Sequence, residues 1–131
     1  MIVIDRQQEL AEWIGRKTNG IYSPVTARFI GLEFDGKLSA VTAYTDYNGS
    51  SVQMHVAIDH RINKEYTRFC FGYAFNQLGV KKVIGLVESN NHKALRFDKH
   101  LGFVEEYVVK DAGREGDIHI LSMTREQCRF I

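Results

Sequence analysis

The sequence predicts one domain, residues 1–131, of mixed α/β (α+β) class, built on a mostly antiparallel sheet of about six strands. Three extended segments between residues 27 and 58 follow one another through tight turns, which favours an antiparallel meander. A helical segment then separates two apolar strands, which predicts one parallel pair joined by a right-handed crossover. A chain of 131 residues is long enough to bury its own core.

The first element is an amphipathic helix near the start of the chain. Asp5 is its candidate N-cap, with Gln8 three residues later, and Asn19-Gly20 supplies the stop. The apolar residues that repeat at helical spacing are Leu10, Trp13 and Ile14.

The meander comes next. Apolar residues alternate in ARFIGLEF from Ala27, and Asp35-Gly36 provides the positive-φ residues of a tight hairpin to LSAVTAYT. A second turn at residues 47–50 leads into SVQMHVAI, a strand with a strongly apolar face.

The second half of the chain contains the crossover and a final hairpin. A largely buried helix is predicted from Asn63 to Leu78, followed by the short strand KKVIGLV. Asn90 or Asn91 caps a further helix that Gly102 ends. The segments FVEEYVV and DIHILSM then flank a loop rich in turn-forming residues.

Composition excludes several functional classes. The net charge of +1, with both signs spread along the chain, argues against nucleic acid as a partner. No apolar run reaches the length of a membrane span or forms a signal peptide, so a cytoplasmic protein is expected. Two isolated cysteines without a CxxC or a His/Cys cluster predict reduced thiols and no metal site.

Two segments resemble a known family. Residues 88–103, ESNNHKALRFDKHLGF, resemble the GNAT acetyltransferase segment in which a strand ends, Asn begins a helix, and that helix closes on Leu-Gly-Phe. Upstream, residues 73–75 and 77–80 resemble the end of the helix after the cofactor-binding turn in members related to ribosomal-protein acetyltransferases. The resemblance runs from about residue 31 to 123 and is closest to compact phage and bacterial GNAT proteins. It implies helices on both faces of the sheet.

The resemblance also implies acetyl-CoA as the cofactor and a primary amine as the acceptor, in a monomer or homodimer. The cofactor's pyrophosphate would lie at the first turn of the crossover helix, and its pantetheine arm would run along the strand before it. The cofactor-binding residues implied by motif position are Val56, Ala57, Ile58, Arg61, Asn63, Lys64, Glu65, Asn91 and Phe97.

Acetyl transfer to an amine uses a proton acceptor, and His55 is the first candidate. Its unperturbed pKa of ~6.5 suits neutral pH, and it lies on the strand where the family places the acetyl group. The alternative is a hydrogen-bonded histidine of the sheet. Glu33 and Glu88 rank below it as carboxylates that would hold or deprotonate the amine, or else are solvated strand residues.

Two departures from the family pattern define the alternatives. The stretch Arg61 to Tyr66 lacks the glycines of the family's pyrophosphate turn. Asp98 stands where many members carry the tyrosine that protonates the leaving thiolate, and a carboxylate ionised at neutral pH is a poor acid. The alternatives to an enzyme are therefore an inactive GNAT-fold protein that binds acyl-CoA or regulates, and an α/β interaction domain unrelated to CoA.

Overall fold

Seven strands form one sheet in the computed structural model, which describes residues 1–131. The strands are β1 (Ile2–Val3), β2 (Arg28–Phe34), β3 (Lys37–Thr45), β4 (Ser51–Ile58), β5 (Lys82–Glu88), β6 (Val104–Val109) and β7 (Ile118–Thr124). The helices are α1 (Gln7–Thr18), α2 (Lys64–Gly72), which a π-helical turn at Tyr73–Gln77 continues, and α3 (His92–Leu101).

The spatial order of the strands is β1-β2-β3-β4-β5-β7-β6. All neighbours are antiparallel except β4 and β5, which are parallel and connected through α2. The predicted meander and crossover are thereby confirmed. The strand missing from the prediction is β1, whose two residues are too few to show a periodic pattern.

The parallel pair is short, and this matters for the site. β4 and β5 pair through only three residue pairs, the last of which is Gln53 with Ile84. Beyond them β4 continues to Ile58 paired only with β3, and β5 continues to Glu88 paired only with β7. The two strands therefore separate towards their carboxyl ends, and we call the space between them the strand gap.

Two apolar clusters hold the layers together, one on each face of the sheet. The larger contains 17 buried residues and joins the sheet to α2, among them the fully buried side chains of Tyr66 and Phe75. The smaller contains nine and packs Leu10 and Ile14 of α1 against the other face. The strand gap thus lies between a face covered by α2 and α3 and a face covered by α1.

Most predicted boundaries agree with the structure. Asp35 and Gly36 have φ values of 52° and 77°, the left-handed conformation that the β2–β3 hairpin requires. Gly102, at φ 115°, ends α3 as predicted. The N-cap of α1 was predicted wrongly, because the helix begins after Arg6, which makes no side-chain cap bond, and not after Asp5. The longest helix has 12 residues, and none meets the length and hydropathy needed to cross a bilayer.

Candidate active site

An apolar cleft opens from the strand gap on the face of the sheet that α2 and α3 cover. Its walls come from α2, α3 and β4, and its volume is about 50 Å³. The lining residues are Thr42, Met54, Val56, Ile62, Tyr66, Thr67, Cys70, Phe71, Phe97, Asp98, Leu101 and Phe103. Among the predicted cofactor residues, Val56 and Phe97 lie in this cleft.

The first turn of α2 stands at the end of the cleft marked by Ile62. Asn63 caps the helix, because its Oδ1 accepts the backbone N–H of Tyr66 at 2.8 Å. The backbone N–H groups of Lys64 and Glu65 have no acceptor within the chain. Free N–H groups at a helix N-terminus attract anions.

The loop that precedes α2 is fixed by one buried side chain. Ser39 Oγ accepts the backbone N–H of Arg61 at 2.8 Å and donates to the Arg61 carbonyl at 2.6 Å. The Arg61 guanidinium carbon lies 4.0 Å from the centroid of the Phe34 ring. The loop is therefore held by side-chain bonds in place of a glycine-rich turn. Ser39 was not among the predicted residues.

The free edge of β4 borders the strand gap. Val56 and Ile58 are each 37% exposed, although both belong to a strand in the middle of the sheet. Ala57 packs instead with the α1 cluster, as the alternation of a strand requires. Asn91 caps α3 by accepting the N–H of Ala94 at 3.2 Å, which leaves its amide N–H groups without a protein partner.

Asp98 on α3 enters the cleft next to β5. A Cβ built on Gly85 would lie 3.4 Å from its Oδ2 atom, and Gly85 is the first residue of β5 beyond the last pair with β4. Burial in this apolar setting raises the pKa of Asp98 to about 6. The sequence did not reveal this raised pKa, because it does not show the cleft that desolvates the carboxylate.

His55 projects to the opposite face of β4, towards α1. Its Nε2 lies 2.9 Å from Thr45 Oγ1, and its ring centroid is 5.8 Å from that of Tyr22. Burial lowers the pKa of His55, and the charge of Asp46 opposes this only in part. His55 is the second residue beyond the last β4–β5 pair. A neutral imidazole therefore borders the strand gap on the α1 side.

Glu33 and Glu88, the two carboxylates predicted as catalytic candidates, both bind groups of the protein framework. Glu33 is 8% exposed, and its Oε2 lies 2.6 Å from Arg6 Nη2. It lies on β2, two strands from β4, so it does not reach the strand gap. Glu88 accepts the backbone N–H of Arg114 at 2.7 Å and thereby fixes the β6–β7 loop. No group of three or more His, Cys, Asp or Glu side chains is arranged to hold a metal.

Comparison with known proteins supports the architecture alone. No protein-family model and no curated protein sequence matches the chain. A solved structure of spermidine N-acetyltransferase from Vibrio cholerae in complex with CoA and spermine matches with a TM-score of 0.75 at 17% identity, over 97% of this chain and 96% of that one. A dodecameric structure of spermidine N-acetyltransferase from the same organism, in an intermediate state, matches with a TM-score of 0.76 at 17% identity, over 96% and 94%. The chain therefore has the GNAT-like fold that its sequence predicted.

Proposed function

We propose that this chain is an acetyl-CoA-dependent N-acetyltransferase that moves the acetyl group to a primary amine by direct attack in a ternary complex. The observation that carries the proposal is the strand gap. It combines an unpaired strand edge, an apolar cleft, and an anion-attracting helix N-terminus within one continuous site.

Each part of the cofactor has a complementary surface there. The amide-containing pantetheine arm would hydrogen-bond to the free edge of β4 beyond Gln53, as an added strand does. The pyrophosphate would meet the free N–H groups of Lys64 and Glu65, with the positive charges of Arg61 and Lys64 beside them. The Asn91 amide and the Phe97 ring flank the arm from α3.

The thioester would then lie in the strand gap, where the acceptor amine can reach it from the α1 face. His55 borders the gap on that face and is neutral near pH 7, so it is the candidate general base. Spermidine is the first acceptor to test, because the similar solved structures are of spermidine N-acetyltransferases.

Calorimetric titration with acetyl-CoA, CoA and dephospho-CoA tests the cofactor site. Saturable binding of acetyl-CoA is expected, and Lys64→Ala should weaken it about fivefold, because one exposed charge contributes ~1 kcal/mol. Lys81→Ala is the matched control, since Lys81 is an exposed cation just before β5, at the paired end of β4 and β5. No binding to the wild type would leave an interaction domain unrelated to CoA as the better account.

Thiol release in the presence of spermidine or other primary amines tests catalysis. His55→Ala should lower kcat with little change in acetyl-CoA affinity, whereas His100→Ala, an exposed α3 control, should change neither. Binding without turnover of any amine would favour the inactive acyl-CoA-binding alternative. The missing glycines and the Asn63 cap, which occupies one helix N–H group, are the features that favour that alternative.

A further inference from the structure

The face of the sheet that carries α1 is covered over only part of its width. α1 packs against β2, β3 and β4, whereas β5, β7 and β6 lie beyond it. On β5, Val83 and Val87 belong to the apolar cluster beneath α2, so the alternation of a strand places Ile84 and Leu86 on the α1 face. Neither Ile84 nor Leu86 belongs to either apolar cluster.

Leu86 begins a row of apolar side chains that crosses these three strands. It pairs with Ile120 of β7, and Ile120 pairs with Tyr107 of β6. Residues paired directly in antiparallel strands project from the same face. The side chains at the two ends of the row are open to solvent, because Leu86 is 42% and Tyr107 67% exposed. A solvated sheet face is normally polar, so we call Leu86, Ile120 and Tyr107 the apolar row.

The apolar row starts at the candidate site of reaction. Leu86 is the second residue of β5 beyond the last β4–β5 pair, and His55 is the second residue of β4 beyond that pair. The two residues therefore stand opposite each other across the strand gap, on the same face of the sheet. The row ends at β6, the free edge of the sheet. A molecule that enters from this edge and reaches His55 passes over the row.

The carboxylates around the strand gap on this face are engaged or turned away. Glu88, two residues after Leu86, accepts a backbone N–H of the β6–β7 loop at 2.7 Å. Asp59, just beyond β4, forms an ion pair with Lys17 at 3.0 Å. Asp46 lines a separate pocket on the face that α2 covers. A polycation would find no free carboxylate along the row, whereas an apolar chain would find three apolar side chains.

The apolar row is too narrow to form the core of an interface with another protein. Lys82 and Glu106 border it on one side with an ion pair of 2.8 Å, and Glu88 borders it on the other. The distance along β5 between these borders is about 20 Å, and the three strands span about 10 Å, which gives roughly 200 Å². Each partner in a stable protein interface buries about 800 Å². The dimensions therefore favour a small molecule over a second copy of the chain.

We propose, on the basis of the acetyl-transfer function above, that the acceptor is a monoamine with an apolar body, bound with its nitrogen beside His55 and its body along the apolar row. Leu86 contacts the carbons next to the amine, and Tyr107 contacts the far end. Two strand spacings, about 10 Å, separate these side chains, which suits the length of n-octylamine.

The transfer step is balanced without a further reactant. The neutral amine nitrogen attacks the acetyl carbonyl carbon, a C–N bond forms, and the nitrogen loses a proton to His55 or to water. The C–S bond breaks with its electron pair on sulfur, and the CoA sulfur takes a proton from solvent.

The test measures kcat/KM for n-butylamine, n-hexylamine and n-octylamine, which share one amine group and differ only in apolar length. Spermidine is the comparator. A fully buried methylene would raise kcat/KM about fourfold, so a methylene against an open face should raise it about twofold. We expect n-octylamine to exceed both n-butylamine and spermidine by about tenfold.

Two variants test which side chains carry this preference. Leu86→Thr and Tyr107→Thr remove apolar surface and keep a residue that suits a strand. Each should lower kcat/KM for n-octylamine about fivefold, and Tyr107→Thr should leave n-butylamine unchanged because the shorter chain does not reach it. Ile4→Thr is the matched control, since Ile4 is 58% exposed and follows β1 at the opposite edge of the sheet. Circular dichroism establishes that the variants are folded.

The outcomes separate this inference from the proposed function. Turnover of amines with kcat/KM independent of chain length, or unchanged in both variants, would overturn the acceptor class and leave the acetyltransferase intact. A preference for spermidine over n-octylamine would do the same. Acetyl-CoA binding without turnover of any amine would overturn both. Sedimentation velocity tests the other occupant, because a dimer that Leu86→Thr and Tyr107→Thr dissociate would assign the row to a second copy and overturn the inference.

Discussion

Ionisation of Asp98 in its apolar setting should reduce that residue's contribution to the free energy of unfolding as pH rises from about 4 to above 6. Burial raises the pKa of Asp98 from 3.8 to about 6, so the folded state binds the proton more tightly than the unfolded state. At 1.36 kcal/mol per pKa unit, this difference corresponds to roughly 3 kcal/mol. The stabilisation is fully present below pH 3.8, the pKa of Asp98 in the unfolded chain. It is lost as pH rises through about 6, the pKa of Asp98 in the folded protein.

Asp98→Asn removes the ionisable group and keeps the shape. The variant should be more stable than the wild type by about 1–3 kcal/mol at pH 7 and above, with the lower bound set by the cost of burying an amide without hydrogen bonds. The difference between the two proteins should fall towards zero as pH approaches 4.

Urea unfolding at intervals between pH 4.5 and pH 8, followed by the fluorescence of Trp13, the only tryptophan, measures this difference. Asp111→Asn is the control, because Asp111 is exposed and its φ of 57° is one that asparagine also adopts. If the two unfolding free energies differ by the same amount at every pH, ionisation of Asp98 is not the cause and the reasoning is refuted.

Three further predictions concern the framework around the site. Gly31→Ala should lower the unfolding free energy, measured by urea titration, by about 1–3 kcal/mol, because the alanine Cβ would lie 2.7 Å from Leu10 Cδ2. An unchanged unfolding free energy would show that α1 shifts freely. Tyr66→Phe should cost about 1–2 kcal/mol in the same assay, since it leaves a buried carbonyl without its donor, and no loss would contradict that bond's importance. Glu33→Gln should lower Tm, because it weakens the ion pair with Arg6, and should leave kcat unchanged; a large loss of kcat with normal Tm would restore Glu33 as a catalytic candidate.

Local signals account for most of the agreement between the sequence and the fold. The hairpin at Asp35-Gly36, the helix caps Asn63 and Asn91, and the stop at Gly102 each depend on a few neighbouring residues, so the sequence predicts them. The order of the last strands has no such signal. β7 inserts between β5 and β6, a pairing decided by contacts between segments distant in the chain.

The sequence predicted where the candidate site lies better than it predicted the partners and pKa values of the residues there. The segment from Val56 to Lys64 was expected at the carboxyl end of a strand beside a helix N-terminus, and the structure places it there. The partner of Glu33 was not foreseen, because Arg6 lies 27 residues earlier in the chain. The raised pKa of Asp98 depends on apolar side chains from three elements, and no pattern within α3 contains that information.

The short junction between β4 and β5 has a consequence for folding and hydrogen exchange. The antiparallel pairs on either side, such as the seven pairs between β5 and β7, divide the sheet into two units joined by three parallel pairs. Because this junction can form only after the crossover has closed a long loop, we expect it to assemble late and its amides to exchange first in the native state. A ligand that spans the gap touches both units, so it should slow exchange at the junction and make the sheet unfold as one.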